Sequence, residues 1–205
     1  MDLYEEPYDP TRPMICFDEQ PYQMLSEVRE PLPMMPGKVR RFDSEYKREG
    51  NAYVHVAFEP LRGWREVEVS ERRRGVEFAH LMRHLAEEIY SDAEKIRLVC
   101  DNLSTHSPAA FYEAFSAEIA HRLARKIEFC YTPVVHGSWL NMAEIEISVL
   151  VRQCLERRLP DKETLRREVK AWQRERNRKE ASVEWRFRTE DARIKLRSLY
   201  PSVKE

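Results

Sequence analysis

The segment K-I-R-L-V-C-D-N-L-S-T-H, from Lys95 to His106, contains an apolar run that stops abruptly at Asp101-Asn102. The run Leu98-Val99-Cys100 is short and includes a β-branched residue, which indicates a buried strand. A carboxylate at the end of such a strand is held rigidly and still reaches solvent, which suits a catalytic acid or a metal ligand. Asp101 could equally cap the helix that follows the strand.

A second apolar run lies near the start of the chain. Met14-Ile15-Cys16-Phe17 leads directly into Asp18 and Glu19. Because this run is also short, apolar and followed at once by carboxylates, we predict a strand that ends at an acidic pair. Pro21 to Gly50 lacks periodicity, so we expect a long loop there with at most a short helix at Gln23–Arg29.

The third acidic position lies on a predicted helix that runs from about residue 138 to residue 158. On this helix Glu144 shares the apolar face with Ile147 and Val151, whereas Glu146 lies on a more mixed face. A carboxylate on an apolar face costs free energy unless it is paired or bound to a cation. Glu144 is therefore the predicted third carboxylate, and Glu146 is the alternative.

Three carboxylates on separate buried elements predict a site for hard cations. Mg²⁺ and Mn²⁺ prefer oxygen ligands. Two such ions about 3.5–4 Å apart can activate a water and stabilise the leaving oxygen in phosphodiester cleavage. The predicted cofactor is thus Mg²⁺ or Mn²⁺, as two ions, and the predicted catalytic ligands are Asp18, Asp101 and Glu144.

These segments resemble the Asp-Asp-Glu (DDE) endonuclease domain of bacterial mariner-like insertion-sequence transposases. The motifs of that family are an Asp-Glu pair at the first strand, an Asp-Asn pair with a following His, and a Pro-rich turn leading to Asn-x-x-Glu. The matching residues are Asp18-Glu19, Asp101-Asn102 with His106, and Asn141-Met142-Ala143-Glu144. The turn differs, reading P-V-V-H-G-S at residues 133–138 where the family usually has Pro-x-Tyr-Ser-Pro.

The resemblance implies an α/β, ribonuclease-H-like (retroviral-integrase-like) fold with a mixed five-stranded sheet flanked by helices and extra C-terminal helices. It implies a transposase catalytic domain that uses metal ions to cleave DNA and transfer strands at the ends of a mobile element. Glu19, Asn102, His106 and Asn141 would support the metal ligands. The alternatives are a catalytically inactive DNA-binding or regulatory remnant of a transposase and, less directly, a phosphotransfer domain.

The order of the predicted elements supports this fold independently of the motifs. Alternating patterns at Asn51–Glu59 and Trp64–Ser70 flank a turn and predict a hairpin. A hairpin followed by βαβ units predicts a mixed sheet with helices on both faces. The further predicted elements are helices at Val76–Tyr90, Pro108–Lys126, Lys162–Arg178 and about Glu190–Leu199, and a strand at Ile127–Tyr131.

The 205 residues are enough for one domain with a substantial core. We predict a single catalytic domain, with an extended segment at 1–12, a catalytic core at 14–158 and basic helices at 160–205. Charged residues make up 35% of the chain and its mean hydropathy is −0.69. Neither a membrane span nor a signal peptide is recognisable, so a cytoplasmic location is expected. The four cysteines are far apart, which argues against a zinc site.

The net charge of −1 is unevenly distributed along the chain. Residues 1–154 carry 19 basic and 26 acidic side chains, whereas residues 155–205 carry 16 basic and 10 acidic ones. The basic third could bind phosphates or could be a solvated helix of mixed charge. Double-stranded DNA is the expected partner. The candidate DNA-binding residues are Lys38, Arg40, Arg41, Arg166, Arg167, Arg174 and Arg178.

Transposases of this type carry N-terminal helix-turn-helix modules that recognise the ends of their element, and the resemblance implies a homodimer in the active complex. The first predicted strand begins at residue 14. We therefore expect a catalytic half that is separately encoded, truncated or a fragment, with the recognition part missing or separate.

Overall fold

The computed structural model describes residues 2–29, 34–37, 44–133, 140–186, 190, 191 and 194. In this part of the chain the strands form a five-stranded sheet in the order β3-β2-β1-β4-β5. β2 is antiparallel to β1 and β3, whereas β4 is parallel to β1 and to β5, so the sheet is mixed. The strands are β1 Met14–Glu27, β2 Tyr46–Glu59, β3 Trp64–Ser70, β4 Ile96–Cys100 and β5 Ile127–Tyr131.

Helices cover both faces of the sheet. They are α1 Gly75–His84, α2 Ala109–Ala114, α3 Ala117–Lys126, α4 Met142–Leu150 and α5 Lys162–Arg178. α1 continues into a π-helical turn at Leu85–Ile89, and α4 continues into one at Val151–Leu155. Among the described residues, no helix is both long and apolar enough to cross a membrane.

The alternation of side chains along β1 decides which helices each face of the sheet meets. Met14 and Cys16 belong to the core cluster beneath α4 and α5, whereas Ile15 and Phe17 belong to the cluster beneath α1, α2 and α3. Successive residues of a strand point to opposite faces. The next two residues of β1, which are both acidic, must therefore lie on different sides of the sheet.

β1 is longer than the sequence pattern predicted. The loop expected from Pro21 and the helix at Gln23–Arg29 are wrong, because β1 pairs antiparallel with β2 from Cys16 opposite Phe58 to Glu27 opposite Tyr46. β1 pairs with β4 only at Met14–Cys16. Past Cys16 the described strand is therefore bonded along one side, a position in which a proline is tolerated.

The helix predicted at Pro108–Lys126 is in fact two helices. Phe115 is extended (φ −135°, ψ 168°), and Ser116 precedes the first residue of α3. The apolar stripe of Phe111, Phe115 and Ile119 continues across the break, so periodicity alone did not reveal it. Ser116 carried the available signal, since serine is favoured at helix starts.

The hairpin is confirmed, although β2 begins at Tyr46, before the predicted start at Asn51, and β5 and α5 are confirmed at their predicted bounds. Asp161 caps the start of α5, because its Oδ1 accepts a hydrogen bond of 2.7 Å from the backbone N–H of Thr164. α5 packs along β3 and contributes Leu165 and Val169 to the core. The predicted helix near Glu190–Leu199 lies almost wholly outside the described residues.

Candidate active site

Asp18 and Glu19 are adjacent on β1 but lie on opposite faces of the sheet. Asp18 shares the face of Cys16, which α4 covers, and Glu19 shares the face of Phe17, which α1 and α2 cover. The two carboxylates therefore meet different partners. Asp18 lies within a strand rather than at its end, which corrects the expectation that the acidic pair closes β1.

Asp101 follows the last residue of β4 and lies at the same edge of the sheet as Asp18. β4 is parallel to β1, with Val99 opposite Cys16, so the residue two positions later falls level with Asp18. The side chain of Asp101 is 39% exposed to solvent. It is thus anchored at the sheet edge and still accessible from solvent.

His106 joins Asp101 to Glu19 across the buried side of this edge. Its Nδ1 lies 2.5 Å from Asp101 Oδ1, and its Nε2 lies 2.8 Å from Glu19 Oε1. The ring is fully buried and packs edge-on against Phe17 at 5.1 Å between centroids. The backbone oxygen of His106 also accepts a hydrogen bond from the Tyr131 hydroxyl. His106 therefore fixes the end of β4 to the middle of β1.

The two carboxylates determine the charge of His106. Burial opposes protonation, but the hydrogen bonds to Asp101 and Glu19 outweigh it and raise the pKa of His106 to about 9. Burial likewise raises the pKa of Asp101, yet the hydrogen bond from His106 lowers it below its ordinary value. At neutral pH the group is an imidazolium that donates to two carboxylates.

Asn141 connects α4 to β1 beside Asp18. Its Nδ2 donates to the backbone oxygen of Phe17 at 2.8 Å, and its Oδ1 accepts from the Ala143 N–H at 3.1 Å as the N-cap of α4. Glu144 lies in the first turn of that helix and is half-buried. One buried amide thus sets the position of Glu144 relative to Asp18.

Asp18 responds to the charges of the other candidate ligands. Burial, together with the charges of Glu19, Asp101 and Glu144, raises the pKa of Asp18 to about 6, against the lowering effect of the hydrogen bond from the Glu19 N–H. Asp101 and Glu144 therefore each lie within electrostatic range of Asp18. Like charges that converge in this way favour either a proton or a cation among them.

The donor chemistry of this cluster suits Mg²⁺ or Mn²⁺, because every candidate ligand is a carboxylate oxygen. Within the described part of the chain, no three histidine, cysteine, aspartate or glutamate side chains come close enough together to hold an ion. The residues fit the metal by chemistry, and a bound cation would have to draw them together.

Glu146 is placed differently from the sequence prediction. The buried side of α4 includes Met142, Ala143, Glu146 and Ile147, so Glu146 lies on the core face and Glu144 on a half-exposed one. Arg176 binds both carboxylate oxygens of Glu146 at 2.7 and 3.0 Å, and Arg65 Nε lies 3.0 Å from Oε1. The prediction that Glu146 lies on a mixed face was wrong, because the two arginines that compensate its buried charge come from distant parts of the chain.

His55 is a residue of this region that the sequence did not reveal. It lies opposite Glu19 on β2, is buried, and has its Nδ1 3.8 Å from Glu19 Oε1. Its Nε2 lies 2.7 Å from Ser70 Oγ on β3. Burial lowers the pKa of His55. The available signal was the alternation of β2, which places His55 on the inward side with Ala57.

The predicted DNA-binding residues are only partly described. Lys38, Arg40 and Arg41 lie outside the described residues. On α5, Arg166 donates to the Val69 oxygen at 3.3 Å, Arg167 lies 3.5 Å from Glu168, and Arg178 binds Glu175 at 2.8 Å, while Arg174 is exposed. Much of the positive charge of α5 is thus compensated on the helix itself. Asn102, at the end of β4, is exposed.

Comparison with known proteins identifies the family. The sequence profile described as DDE superfamily endonuclease matches residues 13–166. The solved "Mos1 mariner paired end complex with Mn" is 14% identical over 87% of this chain and 54% of its own, with a TM-score of 0.54. The "Mos1 transposase paired-end complex with left transposon end" is 13% identical over 83% of this chain and 51% of its own, with a TM-score of 0.53.

This chain therefore spans about half the length of the solved structures it matches, and at such identity the likeness is one of fold. No curated protein sequence matches the chain significantly. The mixed five-stranded sheet flanked by helices is the ribonuclease-H-like fold, as the sequence predicted. With the profile match covering most of its length, the chain belongs to the DDE superfamily endonucleases.

Proposed function

We propose that this chain is the catalytic domain of a transposase, which cleaves DNA at the ends of a mobile element and transfers the cut strand. The observation that carries the proposal is that Asp101, at the end of β4, and Glu144, in the first turn of α4, both lie within electrostatic range of Asp18 on β1. Membership of the DDE endonuclease family and a fold shared with complexes containing a transposon end support it.

In this proposal Asp18, Asp101 and Glu144 hold two Mg²⁺ or Mn²⁺ ions. Ions bound there would activate water, and later a 3′-hydroxyl, for attack on phosphorus and would stabilise the departing oxygen. Asp18 must release its proton before it can act as a ligand, and its pKa of about 6 places that step below neutral pH. Glu146 takes no part, since Arg65 and Arg176 occupy its oxygens.

Three neighbouring residues would hold these ligands in place. His106 fixes Asp101 and is itself held by Glu19. Asn141 fixes the start of the helix that carries Glu144. A catalytic site depends on ligands whose own positions are locked by such contacts. Asn102, exposed beside Asp101, is available to contact the DNA.

The proposed substrate is double-stranded DNA. Arg166, Arg167, Arg174 and Arg178, together with Lys38, Arg40 and Arg41, are the proposed phosphate contacts, and those already paired on α5 would exchange a carboxylate for a phosphate. Because the matched structures are paired-end complexes, we propose that two copies of this chain act together on two DNA ends.

Supercoiled plasmid incubated with the purified chain tests this function. Relaxed or linear plasmid should form with Mg²⁺ or Mn²⁺ and should not form in EDTA. A chain that binds DNA but never nicks it with either ion would instead be the inactive regulatory remnant. A chain that neither binds nor nicks DNA would contradict both readings.

A further inference from the structure

Three consecutive arginines, Arg72, Arg73 and Arg74, link the end of β3 to the start of α1. β3 and β1 are both antiparallel to β2, so β3 runs in the same direction as β1 and β4. The carboxyl end of β3 therefore lies at the sheet edge where Asp101 follows β4. The three arginines leave the sheet at this edge and lead to α1, which covers the face that holds Glu19 and His106.

The packing of α1 brings this linker close to Asp101. α1 and α2 are in contact at their first turns, where a side chain added at Gly75 would place its Cβ 3.0 Å from the Cβ of Ala110. α2 begins soon after the loop that starts at Asp101. The arginine linker, which ends at Gly75, therefore lies beside the start of α2, the helix that follows the Asp101 loop.

Arg72 and Arg73 are available for a partner, unlike most cations of α5. Both are exposed, and neither forms an ion pair with any residue in the described ranges. Arg74 is excluded, because its guanidinium binds Glu77 Oε1 at 2.9 Å. A DNA backbone that enters the candidate active site must approach its carboxylates. The two exposed guanidinium groups place positive charge beside that path.

We propose that Arg72 and Arg73 bind backbone phosphates of the DNA strand that enters the candidate active site. The inference rests on the proposed function and names a contact surface for it. Guanidinium groups bind phosphate oxygens through paired charge-assisted hydrogen bonds. Contacts to phosphates position the duplex and carry no sequence information directly. The linker would offset the repulsion between DNA and the uncompensated carboxylates.

The test is binding of a fluorescently labelled duplex to the full chain, followed by anisotropy in EDTA between about 50 and 200 mM salt. The Arg72→Ala/Arg73→Ala variant should reduce the slope of log K against log salt by about 1.8, and should raise Kd about tenfold or more at the lowest salt. The matched control is Arg125→Ala, an exposed arginine on α3 at the opposite edge of the sheet.

A charge-retaining variant separates the loss of phosphate contacts from misfolding. The Arg72→Lys/Arg73→Lys variant should keep most of the slope, since it retains the charge, and this separates lost contacts from misfolding. If the wild-type chain binds and the alanine variant binds with the slope of the Arg125→Ala control, this inference is wrong while the proposed function stands. If the wild-type chain shows no DNA binding, the proposed function fails and the inference fails with it.

Discussion

Arg65 on β3 and Glu146 on α4 form an ion pair in which neither side chain has any exposure, with Nε 3.0 Å from Oε1. Arg65 also donates to Asn177 Oδ1 at 3.2 Å and to the Ala181 oxygen at 2.6 Å, so β3, α4 and the end of α5 meet at this point. Burial lowers the pKa of Arg65 to about 10, against the raising effect of Glu146. This pairing removes Glu146 from the candidate metal site.

Replacing Glu146 should destabilise the fold severely. Glu146→Ala leaves Arg65 and Arg176 as buried or half-buried cations without their carboxylate, which typically costs about 3–5 kcal/mol. Urea denaturation measures the loss in free energy of unfolding. The control is Glu156→Ala, an exposed glutamate just beyond α4, which should change stability by less than about 0.5 kcal/mol. A Glu146→Ala variant as stable as that control would show that the ion pair does not hold α4.

His106 should make the stability of the fold dependent on pH. Its folded pKa of about 9 is above the ordinary 6.5, so its contribution is fully present below about pH 6.5 and is lost as pH rises through 9. At low pH the free energy of unfolding of the wild-type chain should therefore exceed that of His106→Gln by up to about 3 kcal/mol. Urea denaturation of both chains across this range checks the trend. A difference that grows toward pH 9 would contradict the imidazolium assignment.

Asp18 should also lower the stability of the fold as pH rises, but its replacement, unlike that of His106, should stabilise the chain. Because its folded pKa is raised to about 6, its ionisation costs the native state stability as pH rises from about 4 to above 6. In EDTA at neutral pH, Asp18→Asn should thus be more stable than wild type by about 2–3 kcal/mol. The amide keeps the oxygen that accepts the Glu19 N–H. A less stable Asp18→Asn variant would contradict the raised pKa of Asp18.

Mn²⁺ should stabilise the chain in proportion to the ionisation of Asp18. A ligand that binds only the native state raises the melting temperature by mass action, so millimolar Mn²⁺ should raise it at neutral pH. The increase should shrink as pH falls below about 6, where Asp18 is protonated. Asp18→Asn should abolish most of it. An equal increase in the melting temperature of Asp18→Asn would show that Mn²⁺ binds at another site.

Local pattern predicted much of the fold. The alternation in β3 and the turn before it are properties of neighbouring residues, and β3 appears in the structure at its predicted bounds, Trp64–Ser70. The length of β1 did not follow from its own residues, because its second half is held by pairing with β2. The same holds for Glu146, whose place in the core depends on two arginines from β3 and α5.

In the candidate site, too, local sequence predicted some features and missed others. Asp18, Asp101 and Glu144 were proposed as ligands from their own segments and from a family resemblance. The connections among them were not visible, since the bond from His106 to Glu19 spans 87 residues and that from Asn141 to Phe17 spans 124. Contacts at such separations arise from packing of the sheet and helices, and a single sequence contains no local trace of them.

The proposed function requires Asp18, Asp101 and Glu144 to act together in DNA cleavage. The most direct measurement is plasmid nicking in Mg²⁺ and in Mn²⁺ by wild type and by Asp18→Asn, Asp101→Asn and Glu144→Gln, each first shown by circular dichroism to be folded. We predict that the wild-type chain nicks and that each variant loses nicking entirely. A folded Glu144→Gln chain that nicks as fast as wild type would contradict the account.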